Sequence, residues 1–149
     1  MTKPLPHVVV TRAIPEAGLE PLRRHATVWV NPEDRPLRRD ELLARAKDAD
    51  GVIGLLTDRI DAGFFDACPK LRGYANYAVG YDNIDVPEAT RRGLPVSNTP
   101  DVLTQATAEL AFALILATAR HVVSSDAVLR SGVWPGWGPL QFIGTQLAG

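Results

Sequence analysis

The sequence predicts an α/β protein built on a doubly wound, parallel, five-stranded sheet. Three observations carry that expectation. Short β-branched or apolar runs recur through the first hundred residues, and the segments between them carry helical stripes or helix-capping residues. The clearest strand-like runs are apolar without alternation, as strands buried on both faces are.

Taken in order, HVVVT (7–11) is continuous and β-branched and predicts the first strand. PEAGLEPLRRH (15–25) follows with Pro15 at a helix start, where its fixed φ suits the first turn. TVWV (27–30) is the second strand, and LRRDELLARAKDA (37–49) places apolar residues at 42, 43, 46 and 49, one helical stripe. GVIGLL (51–56) returns to strand character, DAGFFDAC (61–68) predicts a short helix, and LRGYANYA (71–78) a fourth strand. In DVPEATRRG (85–93), Asp85 stands as an N-cap with Glu88 at capping-box spacing, and Gly93 closes the helix. LPVSN (94–98) is the fifth strand. Such a series implies right-handed crossovers and a sheet covered on both faces.

After Pro100 the pattern changes. Residues 101–132 predict one long helix, or two joined near residues 121–125, with Thr104 as a cap and Gly132 as a stop. Residues 110–117, LAFALILA, are apolar all the way round, the mark of a helix buried between domains or subunits. The last stretch, VWPGWGPLQFIGTQLAG, is rich in Gly, Pro and aromatics and predicts an extended arm.

Composition removes several function classes. The chain has 149 residues, a net charge of −1 and a pI near 6.3, which gives no electrostatic argument for nucleic acid or an anionic membrane. Cys68 is the single cysteine, so no internal disulfide forms, and no Cys/His spacing suggests zinc; a reducing cytoplasm fits. The N-terminus lacks a signal-peptide core, and the most apolar segment falls well short of the about 20 residues that span a bilayer. A soluble protein is expected, with no metal and no membrane partner.

Parallel sheets of this kind bind ligands beyond the carboxyl ends of their strands. The openings are therefore residues 11–14, 55–59, 76–82 and 98–101. None has the Ser/Thr/Gly phosphate loop of a flavodoxin or the acidic pair of a phospho-acceptor domain after the first strand. Gly136-Trp137-Gly138 begins a dinucleotide fingerprint but lacks the third glycine and a preceding strand. His7, His25 and His121 sit where structural roles suffice, Asp85 is explained by capping and Asp82 by a loop bond to its own backbone. Cys68 has no base beside it. What stands out is NYAVGYDNID (76–85): Gly80 lets the chain turn tightly and lets backbone N–H groups approach an anion. The polar helix start Thr104-Gln105-Ala106-Thr107 would favour negative charge as well.

The run YAVGYDNIDVPEATRRGLPVSNTPDVLTQATAELAFALILATAR (77–120) resembles the D-isomer-specific 2-hydroxyacid dehydrogenases. WGPLQFIGTQLAG (137–149) looks like their glyoxylate/hydroxypyruvate reductase branch, and GLLTDRID (54–61) fits too. The resemblance implies that residues 1–100 are most of a flavodoxin-like substrate-binding domain. Residues 101–149 would be an interdomain and dimerisation helix with its arm, the start of a nucleotide-binding domain otherwise absent. It implies that Val79 and Gly80 clamp the carboxylate of a small 2-oxo or 2-hydroxy acid and that Leu56 lines the substrate pocket. Thr107, with Val79, would contact an NAD or NADP cofactor, and Trp137 would reach the other subunit of a homodimer. The family's strand and Gly-rich loop, its substrate Arg, its proton-exchanging His and the supporting Glu have no counterparts in the 149 residues. The chain is thus expected to contain no catalytic residue, to bind no cofactor tightly and not to turn over alone. The alternative is a non-catalytic dimerisation or interaction module, or a decayed fragment.

Overall fold

A computed structural model describes residues 4–147. The chain divides into two compact units, one up to Val102 and one from Leu103. Met1–Lys3 lie outside the described residues, as do Ala148 and Gly149, the last two residues of the stretch that carries the branch resemblance.

The first unit is a five-stranded, all-parallel sheet in the order β2-β1-β3-β4-β5. Its strands are β1 (His7–Val10), β2 (Thr27–Val30), β3 (Gly51–Gly54), β4 (Tyr74–Asn76) and β5 (Val96–Ser97), each inside its predicted run. The crossovers are α1 (Glu16–Arg23), α2 (Arg39–Ala46), α3 (Ala62–Ala67) and α4 (Val86–Arg91). Their ends are fixed by side chains. Asp61 and Asp85 accept the N–H groups of Phe64 and Glu88, each at 3.0 Å, and so cap α3 and α4. The capping box at α4 is half formed, because the Glu88 carboxylate turns to Arg91 and Arg92 instead of the Asp85 N–H. At the other end of α4, Gly93 has φ +64°, and the N–H groups of Gly93 and Leu94 reach the carbonyls of Thr90 and Ala89 at 2.9 Å.

Topology decides which face is covered. From β1 the chain steps to β2 on one side, then returns past β1 and proceeds through β3, β4 and β5 on the other. Right-handed crossovers therefore put α1 on one face and α2, α3 and α4 together on the opposite one. The main core lies under the three helices: Val9, Val52 and Tyr74 from the sheet pack with Leu42, Ala46, Phe64, Phe65 and Ala89. On the α1 face, Val10 and Leu19 are buried, but the expectation of a sheet covered on both faces is not met. A groove of about 370 Å³ runs over β3–β5, lined by Leu22, Gly51, Ile53, Ala75 and Ser97. With one helix before the direction reverses and three after, no helix of this unit is left to cover it.

The second unit holds α5 (Thr104–Ala119) and α6 (Val122–Arg130), which meet at a break bent by 62°. The single-helix alternative is thereby excluded; His121, at φ +55°, is the residue that turns the chain. Thr104 is not the cap: it is already helical, and Leu103 stands at the cap position with no side-chain bond. No residue of α5 is buried, and Phe112 is 68% exposed. Among the described residues no single helix is long and apolar enough to cross a membrane, although α5 and α6 taken together pass that test of length and composition. Among the described residues the arm after Gly132 has neither helix nor strand, yet it does not simply extend. Thr145 donates to the Ala119 carbonyl at 2.8 Å, and a Cβ on Gly144 would fall 2.3 Å from that oxygen, so glycine is what lets the arm return to the end of α5.

Candidate functional site

Asn76 ends β4 at the carboxyl edge of the sheet, and the loop that follows is aimed by its carbonyls. Ala78 O accepts the Thr99 N–H at 2.9 Å, Val79 O accepts Asn98 Nδ2 at 2.8 Å, and Gly80 O accepts Asn76 Nδ2 at 2.8 Å. In a trans peptide the C=O and the following N–H point in opposite directions. Three consecutive carbonyls engaged by protein donors therefore turn the N–H groups of Val79, Gly80 and Tyr81 away from those donors. None of the three donates to a protein acceptor among the described residues. Adjacent, outward-facing amides at a strand's carboxyl end form a seat for an anion.

Of the two roles the sequence suggests for Gly80, the tight turn is not one it fills. Its φ is not in the left-handed region, and a Cβ built on it would meet nothing within 4 Å, so no tight turn demands glycine here. Glycine leaves this space empty beside the amide of its own residue. Gly54, one strand over, is constrained by packing instead. A Cβ there would fall 2.1 Å from the Tyr74 hydroxyl and 2.8 Å from Asp58 Oδ2.

The neighbouring loop, after β3, is pinned by buried polar groups that sequence reading did not single out. The Asp58 carboxylate, in a residue only 3% exposed, accepts the Thr11 hydroxyl at 2.5 Å and the Leu55 N–H at 3.0 Å. Asn83 Nδ2 donates to the carbonyls of Leu55 at 3.2 Å and Asp58 at 2.9 Å. The Tyr74 hydroxyl is buried without a partner, and burial, reinforced by the Asp58 carboxylate, pushes its pKa up. Leu56, on this loop, is exposed, as are Val79 and Tyr81 on the next, so an apolar rim flanks the amides. The edge offers them no unengaged cation from its own loops: Arg12 pairs with Asp34 and Arg59 with Asp61.

Thr107 and Trp137 belong to the second unit, Cys68 to the first. Thr107 stands in the first turn of α5, with its N–H on the Leu103 carbonyl at 2.9 Å. Trp137 is 82% exposed and borders a cavity of about 250 Å³ with Leu129, Trp134 and Phe142. Cys68 is buried, which pushes its thiol up to about 11. Among the described residues no group of three or more His, Cys, Asp or Glu is placed to hold a metal. No strand occurs among the described residues of the second unit, so none precedes Gly136-Trp137-Gly138 there.

Comparison with known proteins supplies the family. Residues 8–134 match the family model of the D-isomer specific 2-hydroxyacid dehydrogenase catalytic domain. Over 148 residues the chain is 54% identical to a glyoxylate reductase of Pyrococcus furiosus and 52% identical to one of Thermococcus gammatolerans. Each alignment covers 97% of this chain and 44% of the relative, so the chain spans less than half the length of these proteins. Among solved structures, a protein from Polaromonas sp. JS6 66 assigned to the NAD-binding D-isomer specific 2-hydroxyacid dehydrogenases superposes with a TM-score of 0.89 at 37% identity, over 98% of this chain and 46% of that one. The NADPH-dependent glyoxylate/hydroxypyruvate reductase of Sinorhizobium meliloti, in complex with NADP and malonate, gives a TM-score of 0.66 at 32% identity, over 87% of this chain and 39% of that one. With the sheet order and the family match in agreement, the chain belongs to the D-isomer specific 2-hydroxyacid dehydrogenases.

Proposed function

We propose that this chain supplies the substrate-binding part of a cytoplasmic NAD(P)H-dependent reductase that converts a small 2-oxo acid, glyoxylate or hydroxypyruvate, to the 2-hydroxy acid. The observation that carries the reading is the row of outward-turned amides at Val79, Gly80 and Tyr81, a seat for the substrate carboxylate. The names of the relatives support the substrate class, and malonate, held by the Sinorhizobium meliloti reductase, is itself a small carboxylate. Leu56 lines the pocket for the remainder of so small an acid. Val79, with Thr107 of α5, contacts the nicotinamide cofactor, which is NAD or NADP.

The same reading assigns the rest of the reaction to residues outside this chain. Hydride transfer needs the cofactor held against the carbonyl carbon and an acid within hydrogen-bond reach of its oxygen. On this reading the chain binds no cofactor tightly and does not turn over alone; the engagement of Arg12 by Asp34 and of Arg59 by Asp61 supports it, because it leaves the amides without a neighbouring free cation from these loops. The uncovered apolar faces of α5 and the exposed Trp137 are where a second subunit docks in a homodimer.

Replacing the aligned 148 residues of the Pyrococcus furiosus reductase by those of this chain tests the proposal. The hybrid is expected to reduce glyoxylate with NADH or NADPH, while this chain by itself shows no reduction above a protein-free control. A folded hybrid without activity would overturn the reading.

A further inference from the structure

Resting on that carboxylate reading, we propose that Asn83 is a positioning residue that yokes the loop after β3 to the loop after β4. The Leu56 N–H then joins those of Val79 and Gly80 in a single two-sided cradle.

The two loops leave the sheet side by side and are tied at both ends. Gly54 and Asn76 are register partners on neighbouring strands, which run about 4.8 Å apart. Farther along, Ile60 and Ile84 form an isolated parallel bridge. Asn83 sits within this frame and bonds across it. Its Nδ2 donates to the carbonyls of Leu55 and Asp58 in one loop, and its side-chain amide lies 3.3 Å from that of Asn76. Asn76 in turn donates to Gly80 O in the other loop. A relay of side-chain amides therefore runs from the Leu55 carbonyl to the Gly80 carbonyl.

The consequence for Leu56 follows from peptide geometry. The Leu55 carbonyl accepts both Asn83 and, within its own turn, the Asp58 N–H at 3.0 Å. The Leu56 N–H, on the opposite side of that peptide, is turned outward and finds no protein acceptor among the described residues. The Leu55 N–H, in the peptide before it, is anchored on the buried Asp58 carboxylate, so Leu55 is held at both of its main-chain polar groups. A carboxylate has two oxygens and about four acceptor directions, more than one loop's amides satisfy. A second jaw supplies a donor for the remainder, and Asn83 sets its distance from the first without touching the ligand.

The test is a titration of the ¹⁵N-labelled chain with oxamate, an isostere of a 2-oxo acid, against sodium chloride at equal ionic strength. The amide resonances of Leu56, Val79 and Gly80 are expected to shift along one isotherm. In Asn83→Ala, and in Asn83→Asp, which keeps the side-chain size, the Leu56 response is lost and binding weakens about tenfold, the scale of one hydrogen bond. Val79 and Gly80 still respond in the folded variants. A silent Leu56 beside responding Val79 and Gly80 in the unmodified chain overturns this inference and leaves the carboxylate reading standing. So do folded Asn83 variants that bind as the unmodified chain does. A titration that moves none of the three amides overturns both.

Discussion

Asn98 Nδ2 donates to the carbonyl of Val79 at 2.8 Å, so the end of β5 aims the loop that follows β4. The bond spans nineteen residues of sequence and lies at an exposed edge, where it contributes little to the fold. Its effect is on the next peptide N–H, that of Gly80. Asn98→Ala is expected to lower stability by no more than about 1 kcal/mol. It should weaken oxamate binding several-fold, read from the Gly80 amide shift. Unchanged binding in the folded variant would separate the asparagine from the seat.

Gly54 and Gly80 should answer the same substitution in opposite ways. Gly80→Ala adds a Cβ in open space at an ordinary φ, so the thermal midpoint should hold or rise slightly. Gly54→Ala drives a Cβ into Tyr74, which is 2% exposed and packed edge-on against Phe64, and should cost about 1–3 kcal/mol. Tyr74→Phe removes a buried hydroxyl with no partner and should raise the midpoint, and it should also soften the Gly54→Ala penalty. Additive effects in the double variant would argue against the contact.

The acid limb of stability should report Glu41 and Glu88. The Arg35 hydrogen bonds hold the Glu41 carboxyl down to about 2, and Arg91 followed by Arg92 does the same to Glu88. A depressed carboxyl contributes stability that is full above the unfolded value, near 4.5, and is lost as pH falls toward about 2. Thermal midpoints should therefore drop across that window, and Glu41→Gln with Glu88→Gln should flatten the drop. Parallel curves for the unmodified chain and the double variant would refute this assignment.

How far the sequence predicts these features differs by element. The β-branched runs, the Asp85 cap and the Gly93 stop are local signals, and each element forms where its signal lies. Asn76, Asn83 and Asn98 carry no such signal. Their partners are main-chain carbonyls, in the case of Leu55 twenty-eight positions away, and an asparagine after a strand reads as turn chemistry. The sequence predicts a sheet covered on both faces, and the structure differs because coverage depends on which side of β1 each later strand joins, and single-sequence patterns do not specify strand order. Of the two reasons the sequence offers for Gly80, the tight turn is not needed, whereas the open approach to the amides agrees with the empty space beside it.

Self-association is expected from the second unit. Leu110, Phe112, Leu114, Ile115 and Leu116 are all half exposed or more on α5, and each large apolar side chain left uncovered forgoes roughly 1.5–3 kcal/mol of burial. Sedimentation at tens of micromolar, about the range in which weak dimers are seen, should find a dimer or larger species. Leu114→Glu should shift it toward monomer, and a stable monomer without the substitution would contradict the docking role.

The carboxylate seat itself is tested most directly by Gly80→Val in the hybrid with the Pyrococcus furiosus reductase, measuring thermal midpoint and kcat/KM for glyoxylate on the same preparation. A β-branched side chain over the amides should exclude the substrate while leaving the loop's own bonds intact. Loss of one charge-assisted hydrogen bond is worth about 1.5–3 kcal/mol, so kcat/KM should fall roughly ten- to a hundredfold or more at a nearly unchanged midpoint. A Gly80→Val hybrid with full kcat/KM per folded molecule would contradict the account.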